Sequence, residues 1–238
     1  MNSYNQKIKI DLEFWKREMV RKPSVLNRMT NNIQKKLNSY IPDKVHKAIT
    51  TAMKTMVKTV LYGSTYTTSA IAPKEMSMIH RESLILQKID NYCKTGAAEG
   101  GITGAGGFLT SMAIKMKLLF EIAALYGFEV KDYRERLYIL YIFQLAFSSK
   151  QGTTKVFMHI QDWEKQLAML PENPDDFDWL TFQQEYRDYI DLAKLAQLLP
   201  VVGAAVGAVA NYQLIKKLGK TAMQAYRLRL IDDPKLLN

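Results

Sequence analysis

The stretch from Thr95 to Gly127, TGAAEGGITGAGGFLTSMAIKMKLLFEIAALYG, concentrates glycine to a degree that constrains everything around it. Six of the 12 glycines fall between Gly96 and Gly107. Ordering a run with so few side chains is entropically costly, so a fold that keeps it needs the backbone itself there. Gly96, Gly100 and Gly104 are four apart; in a helix they line one face and let another backbone come close, and Gly106 and Gly107 then bend or end that helix. From Phe108 onward Met112, Met116, Leu119, Ala123 and Tyr126 keep a helical period, with Gly127 placed to cap the end. The expectation is a glycine-hinged helical hairpin at the centre of the domain. Its partner is expected to be the helix in which Gly203, Gly207 and Asn211 repeat the four-residue spacing.

The rest of the chain reads as helix as well. Ile8, Leu12, Trp15 and Met19 form a stripe between Asn5 and Arg21, closed by Pro23, and Ser24 caps a second helix to about Tyr40. Between Asp43 and Tyr62, Val45, Ile49, Ala52, Met56 and Val60 fall within about 80° of one another at a helical period, with Lys44, Lys47, Lys54 and Lys58 nearly opposite. Gly63 to Pro73 is a small-residue connection, and a helix from Lys74 to about Lys94 leads into the glycine stretch. Asp132 with Glu135 has the form of a capping box. Leu137 to Phe147, LYILYIFQLAF, is apolar almost all round apart from Gln144 and therefore belongs in the middle. Ser148 to Gly152 is the expected turn out of it, followed by a helix over about 154–170. PENPDDFD, 171–178, reads as an acidic surface loop; helical pattern resumes over 179–199, and Pro200 suits the first turn of a last helix in which Lys216, Lys220 and Arg227 share a face. No segment alternates with period two between turn signals, so the fold class is all-α, a multi-helix bundle-like single domain over 1–238, with a basic helical segment at about 1–62.

Net charge is +10 and unevenly placed: residues 1–60 hold 13 basic against 4 acidic residues, whereas 162–191 hold 2 against 9. Such asymmetry points to an acidic partner surface. The single Cys93 excludes an internal disulfide and suits a reducing compartment, and the N-terminal residues lack the apolar core of a secretory signal, so a cytoplasmic protein is expected. Leu195 to Ile215 is 21 uncharged residues between Lys194 and Lys216, yet its Gly, Ala, Gln197, Pro200, Asn211 and Gln213 make it weakly apolar. A buried helix fits it better than a membrane span.

A search for reaction chemistry finds little. Gly101 to Gly106 has the spacing of a phosphate loop, but Gly107 and Phe108 stand where that loop needs Lys and Ser or Thr. An anion site at a helix start near Gly106, with Lys115 or Lys117 beside it, is weighed below close helix packing through Gly101, Gly104, Gly106 and Gly107. His46, His80 and His159 are scattered without metal-ligand spacing; His159 and Asp162 could meet across a helical turn as a surface contact. Glu121 is a carboxylate among apolar neighbours, with Lys117 four residues back as the expected partner. Met53, Met56, Met112, Met116 and Met223 supply an adaptable lining that suits core or a lipid tail. No catalytic residue, metal site or cofactor is expected.

GGITGAGGFLTSM, EIAALYGFEVKDYRER, LLPVVGAAVGAVANY and AYRLRL, in that order, resemble the EcsC protein family over most of Ala97 to Leu230. The resemblance brings no catalytic residues; it implies a setting, because the family is named for bacterial members encoded beside the ATPase and membrane subunits of an ABC transporter. Many relatives carry an acidic residue and a proline before the position of Glu121, where this chain reads SMAIKMKLLF with Lys115 and Lys117. The resulting expectation is a non-enzymatic accessory protein, peripheral at the inner face of the cell membrane. Its anionic-membrane or membrane-protein contact, ABC transporter subunits included, is expected through Lys44, Lys47, Lys54 and Lys58. The alternatives are a lipid or small-ligand protein or enzyme with a pocket between the glycine-containing helices, lined by residues such as Lys115, Glu121 and Asn211, and, less favoured, nucleic-acid binding through the basic helices with Phe14, Trp15 and Tyr40.

Overall fold

The computed structural model describes residues 3–21, 43–62, 71–99, 105–178, 180–182, 190 and 204–231. Among these the architecture is all-α: α1 (Ser3–Val20), α2 (Asp43–Tyr62), α3 (Met78–Glu99), α4 (Ala105–Tyr126), α5 (Tyr133–Phe147), α6 (Lys150–Gln161), α7 (Trp163–Met169), a 3-10 turn (Pro174–Asp176) and α8 (Ala204–Leu230). The described residues contain no strand, only an isolated antiparallel bridge between Ser148 and Ile190. The expected second helix over 24–40, the connection 100–104 with Gly100, Gly101 and Gly104, and Gly203 lie outside the described residues, as does most of 179–199.

Helix α5 occupies the centre, as its all-round apolar sequence requires: only Arg134 and Tyr141 of its residues escape burial. The organising framework, however, is α8. It packs against α1, α3, α4, α5 and α6, and most extensively against α3. Contacts pair Gly96 with Ile215, Ile89 with Gly219, and Glu82 with Arg227, so α3 and α8 run antiparallel. Small residues set their separation. A Cβ at Gly96 would lie 2.2 Å from Ile215 Cδ1, and one at Gly219 would lie 2.5 Å from Ile89 Cγ1. The close approach expected of the glycine stretch is thus made at Gly96, against Asn211 and Ile215 one to two turns beyond Gly207.

The helix ends obey local chemistry, with some corrections. Gly127 ends α4 at a φ of 93°, a left-handed conformation that favours glycine. Asp132 caps α5, but its carboxylate accepts from the Arg134 amide, and Glu135 turns into the core instead of reaching back, so the capping box is only half made. The helix after it starts earlier than expected: Ser149 caps α6 by accepting from Gly152 N, and the chain breaks at Asp162 into α7. Residues 74–77 form a turn, so α3 begins at Met78, not Lys74, and α4 begins at Ala105, placing Gly106 and Gly107 in its first turn. No helix among the described residues is long and apolar enough to cross a membrane.

Candidate functional site

Three helices meet at the polar cluster nearest the glycine stretch. On α4, Lys115 is fully buried and its Nζ donates to Ser111 Oγ (2.7 Å), Ser111 O (3.3 Å) and Asn211 Oδ1 (2.6 Å) on α8. Ser111 Oγ donates in turn to Asn211 Oδ1 at 3.3 Å, and Asn211 Nδ2 donates to the Gly96 carbonyl of α3 at 2.6 Å. These three acceptors around Lys115 suit the N–H donors of an ammonium. The missing side chain at Gly96 opens its carbonyl to Asn211, so glycine and amide act as one device. The structure brings together Lys115 and Asn211, which the sequence placed on different helices as separate candidates, and Ser111, one turn before Lys115, is the member that spacing alone did not single out.

Glu121 lies on the same helix but takes different partners. Tyr92 Oη donates to its Oε1 at 2.8 Å, and Lys88 Nζ on α3 stands 2.9 Å from Oε2 as an ion pair without good hydrogen-bond alignment. The expected partner Lys117 is exposed, and the ion pair of Glu121 is made by Lys88 instead. Burial, then the Glu121 hydrogen bond, pushes the Tyr92 phenol upward. His159 meets Gln166 and stacks on Tyr141 rather than meeting Asp162, which pairs with Lys165. Burial raises the Cys93 thiol, whose Sγ approaches the Tyr212 carbonyl at 3.5 Å; this is an inert thiol. No group of three or more metal-ligating side chains is gathered among the described residues.

Two buried ion pairs escaped the sequence reading. Glu82, fully buried on α3, receives Arg227 in a fork (Nε to Oε1 2.7 Å, Nη2 to Oε2 2.6 Å) together with Tyr126 Oη at 3.0 Å and Tyr4 Oη at 2.5 Å. Burial alone would depress the guanidinium of Arg227, but the forked carboxylate outweighs it and the net shift is upward. Burial, then the Glu82 carboxylate, lifts the Tyr4 phenol to about 12. In the second pair, between α5 and α8, Glu135 Oε2 accepts from Arg229 Nη1 at 2.7 Å and Oε1 from Tyr226 Oη at 2.7 Å. Arg229 is sandwiched between the Phe128 and Tyr138 rings, 4.0 and 4.6 Å from their centroids. Arg227 thus parts from Lys216 and Lys220, which stay exposed. A signal existed: Glu82 continues the stripe Met78, Ile85, Ile89, Cys93, and a charge on a core-facing stripe demands a buried counter-charge.

The basic helix α2 matches its sequence pattern. Ala52, Met56 and Val60 are buried along with Met53, Val57 and Leu61, while Lys47, Lys54 and Lys58 are exposed. The side chains of Lys44, Val45 and Ile49 lie outside the described residues, as do those in the first turn of α4. Arg136 fixes the end of α2, donating from Nη1 to the Leu61 carbonyl at 2.8 Å.

The sequence pattern of the EcsC protein family matches residues 6–231. The chain is 43% identical over 226 residues to "Protein EcsC" of Bacillus subtilis (strain 168), covering 92% of this chain and 93% of that protein. It is 27% identical over 148 residues to "Uncharacterized protein YdbA" of the same organism, covering 59% and 54% respectively. No solved structure matches. With the family pattern spanning nearly the whole chain, from α1 through the end of α8, this protein belongs to the EcsC protein family.

Proposed function

We propose that this protein is a non-enzymatic, membrane-peripheral accessory protein that works at the inner face of the cell membrane with membrane machinery such as an ABC transporter. The observation that carries the proposal is the lysine face of α2. Lys47, Lys54 and Lys58 project from a helix whose opposite face is locked into the core, so the three charges are held on a rigid element. The chain as a whole carries +10. A lysine near an anionic bilayer contributes about 1 kcal/mol, so three give on the order of 3 kcal/mol, or roughly 150-fold in partitioning, falling steeply as salt rises.

The test is sedimentation of the full chain with vesicles of mixed phosphatidylglycerol and phosphatidylcholine, at low and high salt. Binding is expected for the natural chain and reduced binding for Lys47→Glu, Lys54→Glu, Lys58→Glu combined. A chain that stays in the supernatant with anionic vesicles, and in the soluble fraction of lysed cells, ends the membrane part of the proposal. Affinity capture from detergent-solubilised membranes tests the partner part. Failure to retain any transporter subunit would count against it.

A further inference from the structure

Helix α1 is apolar on two faces, and the core uses only one of them. Ile8 and Leu12 are buried, and Trp15 and Met19 pack beside them, with Trp15 edge-on to Phe157 at 5.2 Å and the Met19 carbonyl accepting from Thr154. Ile10 and Phe14 lie on the other side, 58% and 64% exposed. At a helical period their direction is roughly 150° from that of the core stripe. Single exposed apolar residues are ordinary, but an isoleucine and a phenylalanine one turn apart make a continuous ridge.

The residues flanking that ridge are cationic. Lys7, Ile10, Phe14 and Arg17 follow one another at three, four and three residues, and Arg21 comes four later, just past the helix end. Lys7, Arg17 and Arg21 are all exposed, and among the described residues none of them forms an ion pair. Asp11 and Glu18 are the acidic neighbours at one edge of this side; Glu13, at the other edge, is engaged by Lys16 at 2.8 Å and also lies within the field of Arg17. An aromatic and an aliphatic side chain framed by exposed cations match the chemistry of an anionic bilayer interface, where the apolar pair enters the acyl boundary and the cations stay among the headgroups.

We infer that the outward face of α1 is a membrane-inserting ridge, with Ile10 and Phe14 as the wedge and Lys7, Arg17 and Arg21 as its headgroup contacts. The inference rests on the peripheral membrane role proposed above and gives it a depth component that the lysines of α2, being purely electrostatic, do not supply. Because α1 is tied to the core by Tyr4 on Glu82 and by its buried stripe, insertion of the ridge would anchor the whole domain.

The experiment compares the full chain with an Ile10→Ser/Phe14→Ser variant on the same phosphatidylglycerol vesicles, alongside the α2 lysine variant. Both substitutions lie at exposed positions, so unchanged helicity and melting are expected. Vesicle binding should fall at least tenfold, equivalent to about 1.4 kcal/mol. Binding within twofold of the natural chain would overturn the ridge while leaving the α2 contact standing. If the natural chain binds no vesicle, the membrane role itself fails and the ridge with it. If the variant instead loses self-association in sedimentation velocity and keeps vesicle binding, the face is an interface between copies of this chain and the inference is wrong. A second measurement is independent of affinity: a Phe14→Cys variant carrying an environment-sensitive dye should brighten and shift to the blue on vesicle addition, and an unchanged spectrum would contradict insertion.

Discussion

Substituting Arg227→Met removes the cation from the most enclosed charge pair among the described residues. Glu82 has no solvent exposure and takes two bonds from Arg227, at 2.7 and 2.6 Å, and two from tyrosines. Without Arg227 only Tyr4 and Tyr126 remain to stabilise a buried carboxylate, and breaking such a pair costs about 3–5 kcal/mol. Against a total stability of roughly 5–15 kcal/mol that is a large share, and for a chain of this size it lowers the melting temperature by on the order of 6–20 °C. Glu82→Leu should cost a similar amount, because it leaves a buried guanidinium. The double variant Glu82→Leu/Arg227→Met should cost much less than the sum, with a residue of about 1–3 kcal/mol from the Tyr126 hydroxyl left without an acceptor. Urea unfolding followed by circular dichroism gives all three values. If the two single effects add to within about 0.5 kcal/mol in the double variant, Glu82 and Arg227 are not coupled and the account of this pair is wrong.

Gly219→Ala should destabilise by about 1–3 kcal/mol, since the new methyl meets Ile89 at 2.5 Å near the root of its side chain; Gly96→Ala should cost less, because its worst contact is the mobile Ile215 tip, and thermal melts of the pair read the difference. Ile89→Ala should cost less in the Gly219→Ala background than in the natural chain, because the new methyl refills part of the space the isoleucine leaves. Lys115→Met keeps the length of the side chain but takes the charged donor from Ser111 and Asn211 Oδ1, leaving only the 3.3 Å bond between them, and a loss of about 1.5–3 kcal/mol is expected; an unaltered melt would separate the cluster from the stability of the fold. At high pH the sign follows from Tyr4, whose phenol is raised from 10.0 to about 12. Its contribution is complete below pH 10 and is lost as pH climbs through 12, so Tyr4→Phe should flatten the alkaline fall in stability measured by pH-dependent melting.

Much of the local structure was legible in the residues. The four-three-four spacing of Ile8, Leu12, Trp15 and Met19 defines the inward face of α1, and the stripe Ala52, Met56, Val60 against Lys54 and Lys58 defines both faces of α2. Gly127 and Asp132 mark a helix end and a helix start because backbone conformation and capping are short-range. The apolar run of α5, broken only by Gln144, required a central position, since no polar face was available to meet water. Of the candidate cluster, Lys115 and Asn211 were visible as polar residues on helices expected to touch, while Ser111 was not, because a serine on a helix carries no sign of its partner.

Tertiary structure decided everything that depended on which faces meet. Periodicity says that a helix has a buried face but not against what, so Glu121 took Lys88 across a helix interface in preference to Lys117 on its own helix. Arg227 sits in register with Lys216 and Lys220, yet packing of α8 on α3 carried it inward to Glu82 and left the lysines in water. Glu135 abandoned its capping position for Arg229 and Tyr226, because a buried guanidinium needs a carboxylate more than an exposed amide does. The outward pair Ile10 and Phe14 belongs to the same category: the sequence by itself determined that α1 had apolar residues on two sides, and only the packed domain decided which side was left facing out.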